Sequence, residues 1–152
     1  MEKVKPVLIL GIGNVLLRDE GVGVHVAREM MKMPLPEDVE IIDGGTSGLD
    51  LLLYIKGRIK IIVIDCVRGG GTPGTIYRLA PNDLEKDENK IISLHQVDFQ
   101  QTLNLLSMTG KVMPDVIIIG VEPKDYSSWN MDLSPSIKRN IPKIIELIKK
   151  EI

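Results

Sequence analysis

The sequence predicts an α/β protein of three layers, in which helices cover both faces of a mostly parallel, twisted sheet of five strands. One observation is a set of short aliphatic runs, rich in β-branched residues and without strict alternation. Such runs are typical of strands that are covered on both faces. A second observation is that amphipathic segments separate these runs. The resulting order, β-α-β-α-β-β-α-β-α, favours a parallel sheet with helical crossovers.

Five segments are predicted to be strands. Four are the aliphatic runs, at residues 7–10, 39–42, 60–64 and 116–121. The fifth, residues 75–79, alternates more strongly between apolar and polar side chains and follows a glycine-rich turn. We therefore expect this strand at an edge of the sheet, where an antiparallel pairing remains open.

Four segments are predicted to be helices: residues 19–33, 49–56, 96–107 and the segment after Ser134. In the second of these, Leu49, Leu52 and Leu53 are expected to face the core. The last is the clearest, because Ser134 suits an N-cap and Pro135 suits the first helical position. Isoleucines then recur at helical spacing, at Ile137, Ile141, Ile144, Ile145 and Ile148. The charged stretch 83–90 is predicted to be a solvated loop or the start of a helix.

Length and composition indicate one domain that spans residues 1–152, with an ordinary globular balance of 43% hydrophobic and 26% charged residues. The single cysteine excludes an internal disulfide and a cysteine-rich zinc motif, and it indicates a reducing compartment. The apolar runs are too short for a signal peptide or a membrane span. We therefore expect a soluble, cytoplasmic protein with no membrane insertion.

The charge pattern argues against binding to nucleic acid. The formal net charge is −2, no basic stripe is visible, and only five residues are aromatic. The balanced charge and the lack of an obvious exposed apolar stripe are compatible with a monomer.

Polar residues gather where the predicted parallel strands end, which is the edge at which such sheets bind ligands. Glu20 follows the first strand, Asp65 ends the third, and His95 opens the helix before the last strand. Two carboxylates and an imidazole are suitable ligands for a divalent metal such as nickel or zinc. Each residue also has an ordinary structural explanation: helix-dipole complementation for Glu20, helix capping for Asp65 and a satisfied core position for His95.

The glycines after the first strand, Gly11 and Gly13, allow a second interpretation. Glycines at this place can let a backbone approach the pyrophosphate of a dinucleotide. However, Leu16 occupies the third glycine position, and Asp19 and Glu20 would repel phosphates. A tight turn is the simpler explanation.

Other candidate residues carry weaker signals. Cys66 follows Asp65 in a strand, so the two side chains should point to opposite faces, and Cys66 should pack inward as a small hydrophobe. His25 is expected on the solvent side or flank of the first helix. Trp129 is expected to cover the core, and the glycine-rich segment 69–74 is expected to be a turn rather than a mobile flap.

Five motifs in order resemble those of the hydrogenase maturation endopeptidases, and the resemblance covers nearly the whole chain. The motifs are GIGN at 11–14 with DEGVGV at 19–24, DGGT at 43–46, VID at 63–65, SLHQ at 93–96, and GVEP at 120–123 continuing to Trp129 and the LSP at 133–135. The acidic pair at 19–20 is more similar to the branch that serves uptake-type hydrogenases. Cys66 departs from the pattern, because relatives often carry a smaller residue there.

The resemblance implies an endopeptidase that removes a C-terminal tail from the precursor of a [NiFe] hydrogenase large subunit. It implies that Glu20, Asp65 and His95 match the metal-ligating positions, with nickel supplied by the precursor and replaceable by zinc or cadmium in crystals. It suggests an aspartyl-type protease in which Asp65 or Glu20 assists water attack. A substrate-contacting loop matches Asp43, Gly44, Gly45 and Thr46. A Rossmann-like nucleotide or small-ligand binding module, and a nickel chaperone without catalytic activity, remain as alternatives.

Overall fold

The computed structural model describes residues 3–46, 50–85, 91–93 and 95–152. Within these ranges the chain forms five strands and five α-helices. The strands are β1 Val7–Ile12, β2 Val39–Gly45, β3 Lys60–Cys66, β4 Ile76–Leu79 and β5 Asp115–Val121. The helices are α1 Val22–Met30, α2 Leu51–Ile55, α3 Pro81–Glu85, α4 Gln96–Ser107 and α5 Pro135–Glu151.

The five strands form one mixed sheet in the order β2-β1-β3-β5-β4. The pairs β1–β2, β1–β3 and β3–β5 are parallel, whereas β4 runs antiparallel to β5 at the edge. The predicted fold class is therefore confirmed, including the edge strand. The parallel register brings the carboxyl ends of β1, β3 and β5 to the same side of the sheet.

Helices cover both faces of the sheet and create two apolar cores. Ile9 of β1 packs in the core on the side of α1 and α5, whereas its neighbours Leu8 and Leu10 pack on the side of α2 and α4. This alternation follows from the pleat of a strand. Burying each of these large aliphatic side chains contributes about 1.5–3 kcal/mol, so both helical layers are held firmly against the sheet. The predicted apolar stripe of α5 is confirmed, with Ile141 only partly buried.

Several predicted boundaries differ from the structure, and two of the differences lie near the residues of interest. The first helix does not begin at Asp19: residues Arg18–Gly21 form a 3₁₀ turn, and α1 starts at Val22. Arg18 has φ of 52°, which lies outside the right-handed helical region. Strand β2 continues through Gly45, so Asp43, Gly44 and Gly45 belong to the strand rather than to the loop after it.

The helix after β2 is shorter than predicted and faces the core differently. Helix α2 buries Leu51 and Ile55, while Leu53 is 73% exposed, so the expected inward position of Leu53 was wrong. Residues 47–49 lie outside the described residues. The predicted charged stretch 83–90 begins within α3, and its remainder, residues 86–90, also lies outside them. None of the helices in the described ranges is long and apolar enough to cross a membrane.

Candidate functional site

Close packing between glycines brings Glu20 to the ends of the strands. A Cβ atom added to Gly11 would lie 2.2 Å from the carbonyl oxygen of Gly23, and one added to Gly23 would lie 2.1 Å from the carbonyl oxygen of Ile64. Because neither position has a side chain, α1 rests directly on β1 and β3. The 3₁₀ turn that precedes α1 therefore sits over the carboxyl ends of these strands, where Glu20 is buried.

A short backbone pairing brings His95 to the same place. Arg68, just beyond β3, exchanges two hydrogen bonds of 2.9 Å with Ile92. This pairing holds segment 91–93 against the end of β3, next to Asp65. His95 then stands at the N-cap position of α4, so its side chain reaches the edge of the sheet that also holds Asp65 and Glu20.

The imidazole of His95 lies between the two carboxylates. Its Nδ1 atom is 2.9 Å from Oδ1 of Asp65, and its Nε2 atom is 3.1 Å from Oε1 of Glu20. The contact with Asp65 has hydrogen-bond geometry, whereas the contact with Glu20 is an ion pair that falls outside it, and Oε1 of Glu20 has no other polar partner among the described residues. The other Glu20 oxygen accepts the backbone N–H of Asn14 at 3.0 Å. The three residues that the sequence singled out are thus in contact.

Asp65 is held by further donors, one of which the sequence analysis did not identify as a site residue. The hydroxyl of Ser93 donates to Oδ2 of Asp65, and the backbone N–H of Cys66 donates to Oδ1 at 2.8 Å. The same hydroxyl oxygen accepts the backbone N–H of His95 at 3.2 Å. Ser93 therefore links Asp65 to His95. Its place two residues before His95, in the SLHQ motif, was the available signal.

The carboxylates keep His95 in its charged form. Burial by itself lowers the pKa of His95, but the hydrogen bond with Asp65 and the contact with Glu20 outweigh it and raise the pKa to about 10. At neutral pH the ring carries a proton on each nitrogen. The local charge of two carboxylates and one imidazolium is then −1, which attracts a cation.

Cys66 is not a candidate nucleophile. Its side chain is buried in the core on the α1 and α5 side, as predicted from strand alternation. Burial raises the pKa of the Cys66 thiol, and the neighbouring Asp65 carboxylate raises it further. The thiol therefore stays protonated, and the reactive thiolate does not form at neutral pH.

The site residues could supply nitrogen and oxygen ligands to a metal, but they do not yet surround one point. Asp65 faces one ring nitrogen of His95 and Glu20 faces the other. Within the described part of the chain, no three His, Cys, Asp or Glu side chains are grouped closely enough to hold an ion. A shared ion would therefore require the His95 ring to turn.

Asp19, the neighbour of Glu20, has a different role. It is fully buried and accepts four hydrogen bonds, all from the segment after β5. The backbone and hydroxyl of Ser134 donate at 2.7 Å each, Lys124 N–H donates at 3.0 Å, and Asp125 N–H donates at 2.9 Å. Asp19 therefore fastens segment 122–134 to the 3₁₀ turn.

Glu122 anchors the glycine-rich turn in a similar way. Its Oε1 atom accepts hydrogen bonds from Gly69 N–H at 2.9 Å, Gly71 N–H at 2.7 Å and the Tyr77 hydroxyl at 2.9 Å. Segment 69–74 is consequently a turn tied to the end of β5. The acidic residues at this edge thus divide into two that fix loops and two that contact His95.

The DGGT segment lies beside the site. One oxygen of Asp43 accepts Gly45 N–H at 3.0 Å, and the other pairs with Nε of Arg28 at 3.1 Å. Asp43, Gly45 and Thr46 line an open groove that also contains Asn14, whose N–H contacts Glu20. Gly44 is buried beneath this groove, against Leu10 and Ile12.

The space beside the glycine loop after β1 is occupied by the backbone and side chain of Glu20. A Cβ atom on Gly13 would lie 2.2 Å from the carbonyl oxygen of Glu20, and the N–H of Asn14 is bonded to the Glu20 carboxylate. The backbone donor that a phosphate would need is therefore occupied by a carboxylate. This arrangement disfavours the nucleotide-binding interpretation.

Two remaining expectations concern single side chains. His25 is half-buried on the flank of α1, as predicted. Trp129 does not cover the core: it is 80% exposed, so that prediction was wrong. The reason is that the N–H of Asn130 donates to the carbonyl of Leu16 and the carbonyl of Asn130 accepts the N–H of Arg18, which holds the backbone of this loop at the surface.

The family model and the related sequences that match this chain point to the same family. A family model described as hydrogenase maturation protease matches residues 24–151. The hydrogenase expression/formation protein HupD of Bradyrhizobium diazoefficiens is 34% identical over 143 residues, covering 93% of this chain and 74% of that protein. The hydrogenase 2 maturation protease of Escherichia coli is 32% identical over 144 residues, covering 93% of this chain and 87% of that protein.

Solved structures agree with this result. The hydrogenase maturating endopeptidase HybD from E. coli superposes with a TM-score of 0.82 at 31% identity, covering 93% of this chain and 88% of that chain. The [NiFe] hydrogenase maturation protease HybD from Thermococcus kodakarensis superposes with a TM-score of 0.80 at 26% identity, covering 95% and 97%.

Proposed function

The chain belongs to the hydrogenase maturation protease family, and on that premise we propose that it cleaves the C-terminal extension from the nickel-loaded precursor of a [NiFe] hydrogenase large subunit. The protein is an endopeptidase, as its relatives are. In this proposal the nickel is part of the substrate and serves as the recognition element. Glu20, Asp65 and His95 contact it when the precursor docks.

The observation that carries the proposal is the position of His95 between two buried carboxylates, within 3.1 Å of an oxygen of each. Nitrogen and oxygen donors without a thiolate suit a divalent first-row metal. Three protein ligands leave room for the ligands that the precursor itself provides. Loss of the His95 proton as the metal arrives, together with a turn of the ring, would bring the three side chains to one ion.

The charge of the site provides a physical basis for selecting the loaded precursor. The charged His95 compensates only one of the two carboxylates, so docking removes the remaining solvent from a site of net charge −1, and burying that uncompensated charge costs several kcal/mol. Nickel supplies that cation, whereas a nickel-free precursor does not. Docking of the nickel-free form is therefore unfavourable.

Within this proposal Glu20 is the better candidate for the general base. The Asp65 carboxylate accepts hydrogen bonds from Ser93, Cys66 and His95, whereas the only polar contact of Glu20 Oε1 among the described residues is with Nε2 of His95, and a turn of that ring frees this oxygen. Water that attacks the scissile carbonyl gives its proton to this oxygen, and the leaving amine takes up a proton as the peptide bond breaks. The nickel can polarise the carbonyl as a Lewis acid.

The proposal is tested with nickel-loaded and nickel-free precursor. We expect the wild type to cleave only the loaded form, and Glu20→Gln, Asp65→Asn and His95→Ala to lose at least about a hundredfold in rate. Glu29→Gln is a matched control, because Glu29 is an exposed carboxylate of α1 that pairs with Lys32 just after the helix. Equal cleavage of both precursors would remove the nickel-sensing role. Wild-type activity in Glu20→Gln would remove the assignment of the base.

A further inference from the structure

Arg68 lies beside the site without belonging to the set described above. It follows β3 by two residues, and its backbone exchanges hydrogen bonds of 2.9 Å in both directions with Ile92. This pairing fixes the Arg68 backbone next to the segment that carries Ser93 and His95. The position of the side chain is therefore set by the same contact that assembles the site.

The side chain of Arg68 is held in place by an aromatic ring. Its Nη1 atom donates to the hydroxyl of Tyr126 at 2.9 Å, and the guanidinium carbon lies 4.7 Å from the centre of the Tyr126 ring. Tyr126 belongs to segment 122–134, which Asp19 anchors. Stacking and the hydrogen bond together restrict the rotation of a side chain that is otherwise flexible, so less conformational entropy is lost when it binds a ligand.

Most of the guanidinium remains available for an external acceptor. Among the residues that the structure describes, Tyr126 is the only side chain that accepts a hydrogen bond from Arg68, and no Asp or Glu oxygen lies within 4.0 Å of its nitrogens. A guanidinium carries five N–H donors in a planar fork that matches a carboxylate. The arrangement is thus a preorganised cation with free donors.

Arg68 lines the same crevice as the candidate base. Glu20, Cys66, Arg68, Ile92 and Tyr126 line a small crevice at the edge of the site. A peptide that places its scissile bond near Glu20 therefore has its flanking residues within reach of Arg68. Arg68 is half-buried, so part of its side chain stays accessible to a bound peptide.

We propose that Arg68 is a substrate-binding residue that pairs with a carboxylate of the cleaved tail, either an acidic side chain or the C-terminal carboxylate. This inference rests on the proposed function, because it requires a peptide substrate at Glu20. An Arg–carboxylate pair formed in both the ground state and the transition state lowers KM and leaves kcat unchanged. Tyr126 positions the guanidinium for this contact.

The first test is steady-state cleavage of nickel-loaded precursor by the full-length variants. We expect Arg68→Met to raise KM roughly tenfold with kcat within about twofold of the wild type. Tyr126→Phe should raise KM less, since the stacking ring remains. Arg78→Met is the matched control, because it removes an exposed arginine that pairs with Glu151. Unchanged KM in Arg68→Met overturns the proposal, as does a loss confined to kcat.

A second test measures binding without cleavage, so that it does not depend on the reaction. A synthetic peptide with the sequence of the released tail is titrated into wild type and Arg68→Met by calorimetry. It is compared with a C-terminally amidated peptide and with one whose Asp and Glu are replaced by Asn and Gln. We expect one of the two neutralised peptides to bind the wild type roughly tenfold more weakly than the unmodified peptide, which identifies the carboxylate that Arg68 binds. Arg68→Met should bind all three peptides equally. Equal binding of the three peptides by the wild type overturns the proposal.

The two tests separate the inference from its premise. If the wild type cleaves the loaded precursor and Arg68→Met has the same KM, the role of Arg68 fails while the proposed function stands. If the wild type does not cleave the precursor, the proposed function fails, whatever the peptide measurements show.

Discussion

Asp19→Asn is the substitution whose effect can be worked out most fully. The wild-type carboxylate is completely buried and accepts hydrogen bonds from four donors, three of which converge on Oδ2. Asparagine has nearly the same shape but only one acceptor oxygen. That oxygen can replace Oδ2, which leaves the amide NH₂ facing the backbone N–H of Ser134. One buried donor then loses its acceptor.

The magnitude follows from these contacts. An unsatisfied buried donor costs about 1–3 kcal/mol. Hydrogen bonds to a charged acceptor are roughly twice as strong as neutral ones, so the three that remain are weakened as well. Removing the charge recovers part of the cost of desolvating a buried carboxylate. The net loss in the free energy of unfolding should be about 3 kcal/mol, which lowers Tm by roughly 6–12 °C in a chain of this size.

Urea unfolding at neutral pH measures this loss, with Ser134→Ala as the matched control. That variant removes one hydroxyl from the same carboxylate, together with the hydrogen bond that this hydroxyl accepts from Nε of Arg18, and leaves the backbone donors, so it should lose about 1.5–2 kcal/mol. The reasoning is refuted if Asp19→Asn is no less stable than Ser134→Ala. Such a result would mean that segment 122–134 is held by other contacts.

Three further predictions concern the site and the packing that carries it. Ser93→Ala should lower kcat for precursor cleavage roughly tenfold or more, because Asp65 and His95 lose the hydroxyl that links them. Ser93→Thr should restore kcat, and equal rates for both variants would contradict this role. The pKa of His95 is higher in the folded than in the unfolded protein, so charged His95 adds a few kcal/mol to the free energy of unfolding. This contribution should be complete below pH 6.5 and lost as the pH rises towards 10. The difference in unfolding free energy between wild type and His95→Gln should therefore shrink over that range, and a difference that stays constant would speak against the raised pKa. Gly23→Ala should reduce the free energy of unfolding by about 2–3 kcal/mol in urea titrations, because the Cβ of the alanine would clash with the Ile64 carbonyl oxygen. An unchanged urea midpoint would show that α1 can shift without cost.

The sequence by itself determined the layers of the fold. Strands that are buried on both faces must be almost continuously aliphatic, and helices that cover them must carry an apolar stripe, so both patterns are visible locally. The edge strand β4 was recognisable because one of its faces is less covered. The inward position assigned to Leu53 and the core position assigned to Trp129 were wrong, because their exposure depends on which neighbours approach.

The sequence also located the three residues that meet at the site, since parallel strands bring their carboxyl ends to one edge and polar residues there must be neighbours. Tertiary structure alone separated their roles. Asp19 and Glu20 are adjacent in the chain, yet in the 3₁₀ turn the Asp19 side chain bonds to the segment after β5, whereas the Glu20 side chain contacts His95. The stacking of Arg68 on Tyr126, 58 residues further along, is likewise invisible to local patterns, because only the folded chain brings such distant groups together.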